Sequence, residues 1–286
     1  MKKIRNLNGQ TEQEFLKEYD DSMYRHPSCT VDMLLMTVIS GALNILLIKR
    51  KDHPWINQWA LPGGFINYEE DMEEAVLREL KEETNIDSAN YFKQLYTLGK
   101  ADRDPRTRVI TTAYLSLTPE TNLKNMHAGD DASEAKWFEI TKQTIEMTQS
   151  KRKSRLVLEN KETETRLEYE VEEEVERNYI KRNSRPLLEE RLAADHIKLI
   201  NMAMDEIQNH VASSGLMFNL LPAKFTLKQA QDVYETLTSK KVDTANFRRD
   251  ILKMLNETGE KTETYRNRKT KTYTFNPLFN YLKEDL

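Results

Sequence analysis

Two periodicities divide the first half of the chain into strands and a helix. Five short segments are strand-like, because they are rich in β-branched and aromatic residues or alternate apolar with polar positions. They span residues 31–39, 43–49, 91–98, 108–117 and 136–138. Between the second and third segments, apolar residues recur at three- and four-residue intervals from Met72 to Leu80, which predicts a helix over 69–84. Strands alternating with one long helix predict an α/β domain over residues 31–150.

The residues before this domain follow a helical pattern. Residues 1–30 are predicted to be a helical extension. Its helix would span 11–25 and pack through Phe15, Tyr19 and Met23, which share one side.

The pattern changes twice after residue 150. Over 151–180, apolar and polar positions alternate in two stretches, which predicts an appended β-hairpin. Its acidic end, 170–176, is expected to be a solvated linker or the start of a helix. Within 181–213, apolar residues recur at helical intervals from 187 to 210, which predicts a connecting helix that also offers a dimer contact.

Residues 214–286 are predicted to form a winged helix-turn-helix domain. Thr226 suits the N-cap of a first helix, and Asp243 suits the N-cap of a second. Two strand-like stretches follow, around 258–259 and 271–275. Two helices joined by a short turn and followed by a two-stranded hairpin are typical of this domain.

Composition favours a soluble cytoplasmic protein. The 286 residues are 38% hydrophobic and 31% charged, which suits two globular domains and is polar for a membrane protein. Cys29 is the one cysteine, so an internal disulfide and a cysteine-built zinc site are excluded, and residues 1–10 lack the apolar stretch of a secretory signal. The net charge of −4 hides a basic region, because 221–286 contains 13 Lys and Arg against 9 Asp and Glu. The acidic body and the basic tail are expected to meet different partners.

Carboxylates cluster on the predicted 69–84 helix. Glu79, Glu82 and Glu83 lie within one helical turn, so their charges repel one another unless a divalent cation binds between them. A solvated acidic face is the alternative, but Glu79 and Glu83 share the angular sector of the apolar stripe. Oxygen ligands at the edge of a core, behind the turn 62–64, favour a hard cation such as Mg²⁺ or Mn²⁺.

The stretch 64–86 resembles the Nudix box of the diphosphate hydrolases. The matching positions are Gly64, Glu70, Arg78, Glu79, Leu80, Glu82, Glu83 and Ile86. Asn85 stands where the family prefers glycine, and asparagine is the next best residue for a left-handed helix cap. This departure is expected to weaken the helix end rather than the chemistry. The resemblance implies an α/β fold of the Nudix type, an αβα sandwich with a mixed sheet.

The resemblance also implies a reaction, in which water attacks a phosphorus of a nucleoside diphosphate derivative with the help of Mg²⁺ or Mn²⁺. The implied metal ligands are Glu79, Glu82, Glu83 and the carbonyl of Gly63. Arg78 would orient the carboxylates by bidentate pairing, the alternative being an ordinary surface pair with Glu82. Related enzymes often place a catalytic acid before the last strand of the domain, where this chain has Asp130, Asp131 and Glu134.

Four more residues are candidates for substrate binding. Arg103, Arg106 and Arg108 suit phosphates or a terminal ribose. Trp55 suits stacking on adenine. The ordinary alternatives are half-buried packing for Trp55 and a solvated turn for Arg106.

Further stretches are similar to the Nudix-related transcriptional regulators of NAD metabolism and to their ADP-ribose-hydrolysing relatives. These are Trp-Ala-Leu-Pro-Gly-Gly-Phe at 59–65, Arg-Asp-Pro-Arg at 103–106, Phe-Thr-Leu at 225–227 and Asn-Phe-Arg-Arg at 246–249. The resemblance covers residues 31–275. Such regulators often have eroded Nudix boxes, whereas this box is intact, which leaves open whether the domain only senses its nucleotide or also cleaves it.

A winged helix implies contact with DNA, unless it serves only as a packing or dimerisation module. The expected major-groove contacts are Asn246, Arg248, Arg249 and Lys253 on the second helix, and the expected phosphate contacts are Lys269 and Lys271 on the wing. A palindromic operator would require a homodimer.

Together these features predict a Mg²⁺-dependent Nudix hydrolase that cleaves the diphosphate of ADP-ribose or a related nucleoside diphosphate derivative and is coupled to DNA binding. The alternative is a transcriptional regulator of NAD or pentose metabolism whose Nudix domain only senses such a ligand. In either case the expected partners are the nucleotide, double-stranded operator DNA and a second copy of the chain, with no membrane. We expect ADP-ribose to weaken operator binding.

Overall fold

The computed structural model describes residues 4–279 except 87–90, 124–131, 178, 212 and 265–267. The α-helices are α1 (Glu12–Glu18), α2 (Met72–Thr84), α3 (His196–His210), α4 (Leu227–Thr238) and α5 (Thr244–Ile251). The strands are β1 (Ser28–Ile39), β2 (Ala42–Arg50), β3 (Trp59–Ala60), β4 (Gly63–Phe65), β5 (Tyr91–Leu98), β6 (Val109–Leu117), β7 (Ala132–Met147), β8 (Lys151–Asn160), β9 (Thr165–Glu176), β10 (Tyr179–Pro186), β11 (Leu255–Thr264) and β12 (Arg268–Phe275).

Within the described residues, ten strands form one mixed sheet. Its order is β10-β9-β8-β7-β2-β1-β6-β5, with β3 beside β2 and β4 beside β1. Strands β1 and β6 run parallel, with Val31 opposite Thr112, whereas β1 and β2 are antiparallel. The tight turn between β1 and β2 explains the second pairing, because a short connection can only join antiparallel neighbours.

Strand β1 divides the core into two layers, because successive side chains point to opposite faces of a sheet. Val31 and Met33 pack in the cluster that contains Ala75 of α2. Leu34 and Met36 face the other way, into the cluster that contains α3. Helices therefore cover both faces of the sheet, which confirms the predicted αβα sandwich.

The sheet is longer than the sequence indicates. Strands β8 and β9 form a hairpin, but the acidic 170–176 belongs to β9 and is neither a linker nor a helix start. Its carboxylates pair with cations on the neighbouring strands, as in the contacts of Glu170 with Lys153 and Arg185. Cross-strand pairs of this kind stabilise a sheet whose sequence looks solvated.

Two predicted helices are shorter than expected. The connecting helix begins at His196 rather than at 187, and the first part of the 181–213 segment belongs to strand β10, which ends at Pro186. Helix α1 ends at Glu18, and the expected packing of Phe15, Tyr19 and Met23 is wrong, because these side chains are 43, 54 and 80% exposed. The capping box formed by Thr11 and Glu14 stabilises α1 without a buried face.

The C-terminal region is the predicted winged helix-turn-helix. Thr226 caps α4 by accepting from the Gln229 amide at 3.2 Å, and Asp243 caps α5 by accepting from the Asn246 amide at 2.9 Å. Strands β11 and β12 form the wing. Both helices therefore begin directly after the capping residues that the sequence identifies.

The two regions share one hydrophobic core. A continuous cluster runs from Leu34 of the sheet through Ile200 of α3 to Phe247 of α5. The Thr236 hydroxyl of α4, which lies 2.8 Å from the carbonyl of Asp232 on its own helix, also lies 3.1 Å from the carbonyl oxygen of Gly41 between β1 and β2. The winged helix is therefore packed against the α3 face of the sheet. Within the residues described, no helix is long and apolar enough to cross a membrane.

Candidate functional site

Two glycines bring the backbone of β4 close to α2 and β1. A Cβ at Gly64 would overlap the carboxylate of Glu79, and a Cβ at Gly63 would overlap the carbonyl of Val31. The Gly63 amide is then free to donate to Glu83 Oε2 at 2.7 Å. Glycine is required here because the approach leaves no room for a side chain.

Helix α2 presents the acidic cluster from a fixed scaffold. Ala75, Val76 and Leu80 are fully buried, so the side of the helix that carries Glu79 is held against the sheet. The helix begins at Met72, later than predicted. Asn85 ends it in the left-handed conformation, with φ 58° and ψ 27°, as predicted from its place in the box.

Arg78 holds the cluster together. Its guanidinium forms two hydrogen bonds to Glu70, at 2.7 and 2.9 Å, and donates to Glu79 at 2.7 Å and to Glu82 at 3.0 Å. It also donates to the carbonyl of Phe65 at 3.0 Å. These contacts lower the pKa of Glu70 to about 2 and raise the pKa of Arg78. Arg78 thus forms its bidentate pair with Glu70 and makes single contacts with Glu79 and Glu82, of which the last is the i,i+4 pair named as the alternative.

Three carboxylates of the box differ in exposure. The side chains of Glu79 and Glu82 are 14 and 53% exposed, and Glu83 is buried. No group of three or more acidic, histidine or cysteine side chains is gathered around one point in the described part of the chain. The Arg78 guanidinium instead pairs with Glu79, and the Gly63 amide donates a hydrogen bond to Glu83. The donors themselves are hard oxygens, which suit Mg²⁺ or Mn²⁺.

The carboxylates line a cavity of about 500 Å³ between α2, β4 and the start of α3. Arginine side chains from α2, from the end of β2 and from the segment between β5 and β6 also line it, so it carries both signs of charge. The arginines are Arg50, Arg78, Arg103 and Arg106, and the acidic residues are Asp32, Asp52, Glu79, Glu82, Glu83 and Asp104. Its size falls in the range of sites for small organic ligands.

The predicted substrate residues are brought together in part. Trp55, Arg103 and Arg106 line the cavity. The Arg106 guanidinium pairs with Asp104 at 2.8 Å, which lowers the pKa of that carboxyl, and lies 5.3 Å from the centre of the Phe65 ring. Arg108 does not line the cavity, and its guanidinium donates to the carbonyl of Gly99 at 2.6 Å.

Among the charged or titratable residues of the cavity that sequence analysis did not identify are Arg50, Asp32 and His196. Arg50 is the last residue of the apolar strand β2, and its pKa is lowered by burial and by the nearby Arg106. Asp32 interrupts the apolar run of β1, which is a signal that sequence reasoning could have used. His196 comes from α3, far along the chain, and no local pattern connects it to the box.

Two of the three residues predicted as candidates for the general base remain predictions. Asp130 and Asp131 lie outside the described residues. Glu134 lies in β7 rather than in a loop, and the ammonium of Lys49 donates to it at 3.0 Å. Glu134 is not among the residues that line the cavity. Its placement in a strand follows from pairing of β7 with β2, which begins earlier than the Trp137 pattern indicates.

The winged helix has exposed polar and basic side chains along α5. Asn246, Arg248 and Arg249 are exposed, and Arg249 also pairs with its neighbour Asp250 at 3.2 Å. Lys253 lies in the short 3-10 turn after α5, because the helix ends at Ile251. On the wing, Lys269 is exposed and Lys271 pairs with Glu257 at 2.8 Å, which raises the pKa of Lys271.

Comparison with known proteins agrees with this arrangement. The NUDIX domain model matches residues 30–157, and the NrtR DNA-binding winged helix domain model matches residues 217–275. The ADP-ribose pyrophosphatase of Methanocaldococcus jannaschii is 42% identical over 125 residues, which cover 44% of this chain and 68% of that protein. This chain belongs to the Nudix family.

Two other proteins are similar to this chain over both the Nudix region and the winged helix. The ADPR responsive transcriptional repressor NtrR of Acinetobacter baylyi is 29% identical over 248 residues, covering 86% of this chain and 80% of the repressor. The crystal structure of Shewanella oneidensis NrtR complexed with a 27mer DNA aligns with a TM-score of 0.62 and 28% identity, covering 88% of this chain and 95% of that one. The similarity therefore spans both regions of this Nudix protein.

Proposed function

We propose that this Nudix protein binds ADP-ribose or a closely related nucleoside diphosphate derivative, hydrolyses its diphosphate with Mg²⁺, and binds operator DNA through its winged helix. One observation carries the proposal. The same chain contains a cavity lined by arginines and by the carboxylates of the Nudix box, and a helix on which Arg248 and Arg249 are exposed. The relatives named above include a pyrophosphatase of ADP-ribose and a repressor responsive to it.

The cavity suits a molecule with a charged centre and an aromatic end. Arg50, Arg103 and Arg106 offer guanidinium groups to a diphosphate, and arginine forks match phosphate oxygens. Trp55 offers a ring face to a base. The paired arginines are already ordered by carboxylates such as Asp104, so binding would cost little additional side-chain entropy.

The same cavity suits a divalent cation at its acidic wall. Glu79, Glu82 and Glu83, with the carbonyl of Gly63, would hold Mg²⁺. When bound, the ion supplies Lewis-acid stabilisation of phosphoryl charge and lowers the pKa of water. Arg78 keeps Glu79 and Glu82 on the cavity side of α2, and the Gly63 amide keeps Glu83 there.

Turnover of ADP-ribose tests the enzymatic part. The wild-type protein with Mg²⁺ is expected to release AMP, and Glu82→Gln is expected to lose about 10²-fold or more of the rate, because a charged ligand of the ion is removed. Glu73→Gln is the matched control, since Glu73 is exposed on the same helix and does not line the cavity. Negligible turnover in both the wild type and Glu82→Gln, with ligand binding intact, would favour the pure sensor.

Operator binding tests the regulatory part. Gel-shift titration with DNA from upstream of the chain's own gene is expected to show a complex that ADP-ribose weakens. An operator with two half-sites needs two winged helices, so the proposal includes a homodimer. Sedimentation of the protein with its operator measures this stoichiometry, and one chain per operator would reject the dimer.

A further inference from the structure

The start of α3 forms one wall of the Nudix cavity. Ala193, Ala194 and His196 line the cavity, although they follow the Nudix core in sequence. The Ala193 amide donates to the Trp59 carbonyl at 2.8 Å, and the Leu61 amide donates to His196 Nδ1 at 3.0 Å. The segment just before the helix is therefore bound directly to the strand that precedes the double glycine.

His196 has a defined tautomer in this position. Because its Nδ1 accepts from the Leu61 amide, the proton of the neutral ring lies on Nε2. Burial lowers the pKa of His196, which keeps the ring neutral. The Nε2 atom is 3.6 Å from Asp32 Oδ1, longer than a hydrogen bond, so its N–H remains a donor for an oxygen in the cavity.

Arg103 links the cavity to the same start of α3. Its side chain is 5% exposed, and one terminal nitrogen donates to Asp195 Oδ1 at 2.8 Å. Its Nε has no hydrogen-bond partner in the part of the chain that the structure describes. A buried N–H of a charged group without a partner is costly, so Arg103 retains capacity for an anionic ligand.

Helix α3 runs from this cavity to the winged helix. Ile200, Met204 and Ile207 are buried along its length in the cluster that includes Ala230 of α4 and Leu216 before it. A helix packed this closely transmits a shift of one end to its other contacts, because interiors leave little free volume. Movement at Asp195 would therefore reach the DNA-binding domain.

We propose, resting on the function given above, that an anionic ligand in the cavity takes hydrogen bonds from Arg103 and from His196 Nε2, and so draws the Arg103 guanidinium away from Asp195 at the start of α3. Asp195 then keeps only the longer contact with Lys198 Nζ, at 3.8 Å, among the cations that the structure places near it. The Arg103–Asp195 ion pair is then the contact through which ADP-ribose changes the position of the winged helix. Ligand and operator must affect each other by the same factor.

The variant Asp195→Asn tests this contact, since it removes the charge while asparagine keeps a similar size and capping ability. Operator affinity is measured by fluorescence anisotropy with and without saturating ADP-ribose, and ADP-ribose affinity is measured by calorimetry. In the wild type we expect ADP-ribose to weaken operator binding about tenfold, within the usual range of allosteric coupling. In Asp195→Asn we expect ADP-ribose affinity at least as tight as in the wild type, with the coupling reduced to less than about twofold.

Glu206→Gln is the matched control. Glu206 also lies on α3 and pairs with a cation of the sheet, Lys93 at 2.6 Å, but it does not line the cavity. It is expected to keep the wild-type coupling. A second variant, His196→Gln, is expected to weaken ADP-ribose binding by about tenfold through loss of one well-placed donor.

The outcomes separate this inference from the proposed function. Wild-type coupling retained in Asp195→Asn, or lost equally in Glu206→Gln, would overturn the role of the ion pair while the proposed function stands. Absence of ADP-ribose binding by the wild-type protein would overturn both. Loss of coupling in Asp195→Asn alone, together with intact ligand affinity, would establish the contact.

Discussion

The Nudix cavity and the α5 surface both present arginines to a ligand. One arginine of the cavity wall is buried, whereas the arginines of α5 are exposed to solvent. Arg103 in the cavity is 5% exposed and fixed by Asp195, whereas Arg249 on α5 is 67% exposed and paired only with its neighbour Asp250. Buried charges must be paired before a ligand arrives, because desolvation is otherwise too costly. Exposed charges remain hydrated and need no partner within the protein. The arginines of α5 therefore depend on the position of that helix to reach DNA phosphates.

The largest expected effect is in the cavity, at Arg78. Arg78→Lys keeps the charge but loses the planar fork that joins Glu70, Glu79 and Glu82, so turnover of ADP-ribose should fall about 10²-fold. Steady-state assays with Mg²⁺ measure this loss. Lys81→Ala, an exposed cation on the same helix, should leave the rate unchanged. Full activity in Arg78→Lys would mean that charge alone is sufficient.

A second effect is expected on the α5 surface. Arg248→Ala should weaken operator binding by about tenfold or more and lower its salt dependence, because a base or phosphate contact is lost. Lys228→Ala on α4 provides a cation of the same domain for comparison, and its effect should be smaller. Anisotropy titrations at several salt concentrations measure both. Equal losses in the two variants would show that net charge, rather than α5, determines affinity.

A third effect concerns acid stability of the winged helix. Glu235 accepts from Lys241 Nζ at 2.6 Å, from Gln231 at 2.9 Å and from the Val242 amide at 3.2 Å, which lowers its pKa from 4.5 to about 2. Its stabilising contribution is complete above pH 4.5 and is lost as the pH falls through about 2. Glu235→Gln should therefore show a weaker fall of unfolding free energy across this interval.

Urea unfolding at several pH values, followed by circular dichroism, measures this dependence. Asp232→Asn is a suitable control, because Asp232 is an exposed carboxylate on the same helix. A pH dependence in Glu235→Gln that equals that of the wild type would contradict the assigned role.

The smallest effect is expected at the end of α2. Asn85→Gly should raise the unfolding free energy by up to about 1 kcal/mol, because glycine adopts the left-handed conformation without a Cβ penalty. Turnover should stay as in the wild type. Thermal unfolding measures the gain, and a lower melting temperature would show that the Asn85 side chain contributes more than its conformation.

Local signals in the sequence predicted the elements that local interactions determine. The Asn85 cap and the Thr226 and Asp243 caps each depend on a few neighbouring residues, and they lie where predicted. In the apolar stripe of α2, Ala75, Val76 and Leu80 are buried as expected, whereas Met72 at the helix start is 42% exposed. The metal-ligand roles of the box carboxylates remain predictions, as do the domain limits.

Long-range pairing limited the rest of the prediction. The acidic second half of β9 forms a strand because Glu170 and Glu173 meet cations on adjacent strands, which single-sequence periodicity does not reveal. His196 reaches the cavity because α3 returns to the sheet after more than a hundred residues, as its contact with the Leu61 amide shows. Such residues have no local motif of their own.

The apolar cluster that joins Leu34, Ile200 and Phe247 makes the two domains difficult to separate. Separating the Nudix domain from the winged helix would expose a large apolar surface on each half, which favours aggregation over autonomous folding. Replacing the winged helix with another DNA-binding domain would therefore require a replacement that also packs against α3.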